Sequence, residues 1–380
     1  PEIPITFNFL TAGVAFFTNT NVLLSTWLFF LIKTLQTGVM VRVGVPRAPW
    51  VATSQHMGGF VVFVLFTLWM ARRHLTLVWR KAIGRAPDVD DSQEFLSYRT
   101  ALFCLLFSLF FIFAWLQTSG MSLGIAAFLI GSLLLMFVGI TRIVAETGLI
   151  FVDLPYNAHA FTVSTIGSGS ISPINLTQLA LSNAYSHNWR TLGMCSMAHV
   201  SKVGDQMGGV GRGVFGVITV TLAIGVITTV LYTLYLGYFT GGAQQFTDPP
   251  FPGGSRGSYN TLVNWFNNKR MFTGLEFVFM AIGSVVGGVL IFIQYRVPGW
   301  PLHPIGYAVA ATEGMPTMAF SIFIAWLAKV LLLRIGGVIQ YRKAQPFVIG
   351  MIAGYTVGIF LLYIVDIVWF PGNGHRVHMY

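Results

Sequence analysis

The chain has 380 residues, of which 55% are hydrophobic and only 9% charged, against roughly 25% charged in an ordinary soluble domain. That composition excludes a water-soluble globular protein and makes the lipid bilayer its main solvent. The net charge of +10 comes from 22 Lys+Arg against 12 Asp+Glu; because the basic residues sit at the ends of apolar runs, they point to membrane orientation and anionic headgroups, and no nucleic-acid partner is expected.

In hydrocarbon every backbone polar group must be satisfied within its own segment, so long apolar runs are helices. The expected fold is all-α, a polytopic transmembrane helix bundle with broken or re-entrant helices, read as one transmembrane domain over 1–380. A crossing needs about 20 apolar residues, and eight apolar blocks qualify: 7–40, 56–79, 95–117, 120–147, 212–241, 273–296, 303–335 and 344–369. Block 7–40 is too long for one crossing and is interrupted at Thr18-Asn19-Thr20-Asn21. Block 56–79 runs into Arg72, Arg73, Arg80, Lys81 and Arg85, which places that loop in the cytoplasm, with Asp88, Asp90, Asp91 and Glu94 following.

Counting on, Gly120 lies outside, Arg142 inside, and the segment from Gly148 to Arg212 stays on the inner side. That segment is the least apolar, and its Ser164-to-Ser172 stretch is either an anion-holding turn or a plain flexible loop. Gly241–Met271 is then an outer loop, and block 273–296 brings Arg296 back inside. Block 303–335 is broken by Glu313-Gly314-Met315-Pro316, so it enters and leaves on one face or crosses twice as short half-helices. The count leaves Arg42 and Arg47 outside, against the rule.

Two stretches are similar to each other. Ser25-Thr-Trp-Leu-Phe-Phe-Leu-Ile-Lys33 and Ser321-Ile-Phe-Ile-Ala-Trp-Leu-Ala-Lys329 each set a serine eight residues before a lysine, after a polar break and before Gly38 or Gly336. Matched broken segments are the mark of a repeat-built carrier; two aromatic helices also look alike by chance.

The candidate substrate or coupling-ion residues lie in these segments. Glu313, with His303 and Tyr307 upstream, is an acid inside an apolar block beside Gly314 and Pro316, a functional position unless it lies in an interfacial turn. Asn19 and Asn21 occupy the matching break. Lys329 is placed to pair with Glu313 or Asp366, while Lys33 can snorkel to the interface. Arg142 and Glu146, four apart, share a helix face, as a structural ion pair or, with Asp153 as third member, as a gate. No catalytic group, metal or cofactor is expected: His159, His187 and His199 lack metal-ligand spacing, Gly208–Gly213 lacks the Lys-Ser/Thr ending of a phosphate loop, and Cys104 and Cys195 form neither a CxxC nor a disulfide framework.

Trp27–Lys33, Trp69–Ala82, Ser97–Ala101, Arg142–Leu149, Trp300–Ala308 and Lys329–Arg342 with its Gly336-Gly337 together resemble an uncharacterised family of large prokaryotic membrane proteins often labelled peptide transporters. That family is distantly similar to oligopeptide transporters, which are secondary carriers. The resemblance spans nearly the whole chain and implies that it corresponds to the C-terminal part of longer proteins. It also implies a multi-pass protein of the prokaryotic cytoplasmic (inner) membrane, an ion- or proton-coupled secondary transporter of peptides or similar small polar solutes. Its partners are then the lipid bilayer, the solute, and a second copy or a larger membrane complex. The competing reading is a non-catalytic integral subunit or scaffold of such a complex, which predicts paired polar groups and no water-filled cavity at membrane depth.

Overall fold

The computed structural model describes residues 3–86, 88–92, 94–149, 152–186, 193–206, 213–239 and 251–370. It is 81% helical, with no strand among the described residues. Among the described residues seven helices are long and apolar enough to cross a membrane, and the protein is a multi-pass helical bundle. The chain packs as two compact units, one of Pro1–Phe63, Arg142–Pro155 and Gly274–Tyr380, the other of Val64–Thr141 and Tyr156–Thr273.

In the first unit both overlong blocks break where their polar interruptions stand. Asn8 caps α1 (Phe9–Phe17), its Oδ1 accepting from the Thr11 N–H at 2.8 Å. The helix ends at Thr18, and Asn19 caps α2 (Thr20–Arg42) by accepting from the Asn21 N–H at 2.9 Å, a side-chain solution to the orphan donors of a helix start. The first part of α3 (Ala48–Ala82) follows. Of the helices numbered last, α11 (Gly274–Arg296) leads to the second break. His303 caps the short α12 (Pro304–Val309), Pro304 opening it, and Pro316 opens α13 (Met315–Trp369). Proline is tolerated at both places because the first turn has no donor to lose. α13 bends at Gly337, φ 61° and ψ −158°, which separates blocks 303–335 and 344–369 into two rods.

Bond register gives the direction of each piece. Asn21 meets Trp300, Ser25 meets His303, and Phe29 meets Tyr307, so α12 runs with α2. Thr6 meets Thr317, Asn8 meets Ser321, and Thr18 meets Lys329, so α1 runs with α13. Trp27 packs on Phe323 and Trp326, while Phe30 and Leu31 share an apolar pocket with Ala319 and Phe320, so α2 runs against α13. Hence α1–α2 and α12–α13 are two helical hairpins, each reversing at its break and lying antiparallel to the other.

α3 and α11 approach to backbone contact through small residues. A Cβ on Gly58 would strike the Met280 carbonyl, and one on Gly283 the Gln55 carbonyl, the close helix packing that membrane interiors favour. Gly283→Ala is expected to cost about 1–3 kcal/mol as overpacking, read as a lower unfolding temperature of the purified protein in detergent.

The second unit holds the rest of α3, α4 (Tyr98–Thr118), most of α5 (Leu123–Thr147), α6 (Ala158–Ile166), α7 (Pro173–Leu181), α8 (Gly193–Gln206), α9 (Gly213–Phe239) and α10 (Phe251–Asn267). α9 has no buried residue, an apolar surface on all sides such as lipid covers. The expected inner-side loop is corrected here. Ser122 N–H donates to Asn175 Oδ1 and Gln178 Nε2 to the Ser119 carbonyl, while Phe272 N–H donates to the Ser164 carbonyl and Ser168 N–H to the Arg270 carbonyl. Residues 164–178 therefore lie at the same end as 119–122 and 270–272, both placed outside by the charge count. At nine residues each, or about 13 Å, α6 and α7 are too short to cross, and they form a re-entrant hairpin with its tip at Gly167–Ser170.

That tip is neither a flexible loop nor an open anion cradle. Ser168 also donates from Oγ to the Trp265 carbonyl at 3.0 Å and accepts from Arg270 N–H at 2.9 Å, so its polar groups serve its own chain. His159 is a structural residue, bonded through Nδ1 to Ser186 Oγ at 2.7 Å. No group of three metal-ligating side chains occurs among the described residues. His187, most of Gly208–Gly213 and residues 240–250 lie outside them.

Candidate functional site

The polar groups of the first unit gather where the two hairpins cross. Lys329, 7% exposed, donates from Nζ to the Thr18 carbonyl at 2.7 Å, and its ammonium stands 4.8 Å from the centre of the Tyr341 ring. Tyr341 in turn donates to the Phe16 carbonyl at 3.4 Å. The end of a helix carries partial negative charge and a ring face attracts cations, so the broken end of α1 is a seat for an ammonium. The expected pairing of Lys329 with Glu313 or Asp366 is thereby corrected: its partners are a backbone oxygen and a ring.

Beside this seat the end of α5 meets the mouth of the second hairpin. Thr18 Oγ1 donates to the Thr147 carbonyl at 2.9 Å. Arg142 and Glu146 pair at 2.9 Å as their spacing requires, but the third member is His303, whose Nε2 lies 3.3 Å from Glu146 Oε1. His303 Nδ1 accepts from the Ile305 N–H at 3.2 Å, which leaves the ring proton on Nε2, facing the carboxylate. Arg142 and Glu146 side chains are 50% and 31% exposed, so the pair is not buried between helices. Asp153 is half-buried in the irregular stretch beyond α5.

Asn19 and Glu313 are both exposed, correcting the expectation that these two side chains are buried within the breaks. Their neighbours Thr18 and Thr312 are buried instead. Asn21 is half-buried and donates to the Trp300 carbonyl at 3.3 Å.

Tyr307 is buried in a second cluster. His56 Nδ1 donates to its carbonyl at 2.7 Å, Gln55 Nε2 to its hydroxyl at 3.2 Å, and Gln36 Nε2 to Gln55 Oε1 at 2.6 Å. Sequence reasoning passed over Gln55 and His56, although a Gln-His pair opening an apolar block is a visible signal.

The two serines of the sequence repeat make equivalent bonds. Ser25 Oγ accepts from the His303 N–H at 2.6 Å, and Ser321 Oγ accepts from the Asn8 N–H at 2.9 Å. Each thus holds the capping residue of the other hairpin.

Residues 1–377 match a family model described as a family of unknown function, DUF6785. The chain belongs to that family. No curated protein and no solved structure matches it. For this DUF6785 member the crossing itself can be tested. A Cβ on Gly306 would come within 2.6 Å of the Ser25 carbonyl carbon and 2.7 Å of the Thr26 nitrogen. Gly306→Ala should therefore push α12 off α2, weaken the Ser25–His303 bond, and lower stability by about 1–3 kcal/mol in thermal unfolding. Gly124→Ala, with open space around its site, is the control.

Proposed function

We propose that the protein is a secondary transporter that carries small polar solutes, peptides among them, across the prokaryotic cytoplasmic membrane, coupled to a proton or ion gradient. The observation that carries this reading is the pair of antiparallel broken hairpins, each anchored by a serine of the other. Inverted repeats with interrupted helices are the architecture in which one half rocks against the other around a central site. Lys329 at the broken end of α1 is the candidate coupling group, and Arg142–Glu146–His303 the candidate gate. The basic end of α3, Arg72 to Lys81, with Arg85 beyond it, would mark the cytoplasmic side.

The small cavity among α1, α12 and α13 favours the second reading, a scaffold or subunit of a larger complex. The cavity lined by Thr11, Val309, Thr312 and Met315 has a volume of about 20 Å³, which holds one water and no solute. Under the transporter reading this is an occluded conformation. Reconstituted vesicles distinguish the two. A transporter accumulates a mixture of short peptides only while a proton or sodium gradient is maintained, and Glu146→Gln slows that accumulation. Absence of uptake under every gradient, with constant co-purification of another membrane protein, would replace it with the scaffold.

A further inference from the structure

We infer that Lys33 is the counterpart of Lys329, a second latch whose seat is the turn at 310–314 with Glu313 as its counter-charge, and that the two latches close alternately. The inference extends the transporter reading.

The repeat keeps nearly the same spacing in both hairpins. Asn8 and His303 are capping residues held by the opposite serine; Ser25 follows Asn8 by 17 residues and Ser321 follows His303 by 18, and each serine stands eight residues before its lysine. Helix α2 gives way to Gly44 at φ 83°, and its counterpart bends at Gly337 at φ 61°. Lys329 sits on the carbonyl of Thr18, ten residues past Asn8. Ten residues past His303 is Glu313.

Register along α2 leads to the same place. Ser25 lies beside His303 and Gly306, Phe29 packs with Tyr307 and Ala310, and one turn further on, Lys33 comes level with the turn that carries Glu313. Among the described residues, the half-buried Lys33 ammonium makes no hydrogen bond or ion pair, and the exposed Glu313 carboxylate makes none either. His56 is the titratable group nearest in register on α3, and it is bonded to Tyr307. Two opposite charges left without partners at one level of an apolar assembly attract strongly once brought together. One latch is engaged and its equivalent is open, so the structure is one of two states related by exchange of the hairpins' roles.

The test keeps Lys33 in place and does not depend on uptake. In full-length protein reconstituted into vesicles, with Cys104 and Cys195 replaced by alanine, Gln36→Cys and Gly314→Cys report the closeness of α2 and the second turn through a short dithiol cross-linker. Releasing the first latch with Lys329→Met is expected to raise the cross-linked fraction several-fold, and adding Glu313→Gln should return it to the starting value. Should Lys329→Met fail to fold, Tyr341→Leu removes the ring and the Phe16 bond from the same seat and serves in its place. An unchanged yield in a folded variant, or a rise that survives Glu313→Gln, overturns the latch. A rise abolished by Glu313→Gln in a protein that takes up no solute leaves the latch standing and removes the transporter.

Discussion

Lys329→Met is expected to leave a folded protein and to reduce gradient-driven uptake at least about tenfold, the effect of some 1.4 kcal/mol on an equilibrium. Methionine nearly matches the lysine stem in length, so packing in the crossing survives. What goes is the bond to the Thr18 carbonyl, about 1–3 kcal/mol for an acceptor left without its donor. The cation at the end of α1 goes too, about 0.3–1 kcal/mol. Against these stands relief from holding a 7% exposed ammonium out of water, a penalty that buried charges carry whatever their partners. The terms oppose one another, so the unfolding temperature should move little while the preference for the latched state is lost. Lys329→Glu has no such balance: a carboxylate would face a carbonyl oxygen with no donor between them, and the protein should not fold. Wild-type uptake by Lys329→Met would make the lysine a structural prop.

The breaks themselves were legible because their causes are local. Thr18-Asn19-Thr20-Asn21 supplies a cap at the start of α2, and Gly314-Met315-Pro316 supplies the start of α13. The serine–lysine repeat was legible for the same reason, as a spacing within one helix. Which way Asn19 and Glu313 face was not, since hydropathy over a window carries no rotational phase, and a polar residue in an apolar run reads the same whether it points in or out. His303 beside Glu146 joins residues far apart in the chain, and no periodicity encodes that. The α6–α7 hairpin was hidden by its own composition: serine and glycine mark an exposed loop unless another segment supplies partners. Trp265 and Arg270 do so.

Arg47→Ala is expected to be strongly destabilising, at about 3–5 kcal/mol, the cost of removing one partner from a buried charge pair. Its carboxylate partner, Glu276, has a fully buried side chain, 3.6 Å from Arg47 Nη2. Among the described residues Arg47 is also the non-glycine residue with positive φ, at 58°, a conformation that costs about 1–3 kcal/mol and persists only where its surroundings require it. Glu276 lies in the first turn of α11, where the helix end favours a negative charge, so the carboxylate keeps some support and the loss should fall toward the lower end of the range. Thermal unfolding of three variants separates the pair from its parts. Arg47→Ala should be least stable, and Arg47→Leu with Glu276→Leu should recover most of the loss, because well-packed apolar side chains replace a buried ion pair at little cost. Equal destabilisation by single and double changes would mean that the backbone at Arg47, not the charge, is what matters.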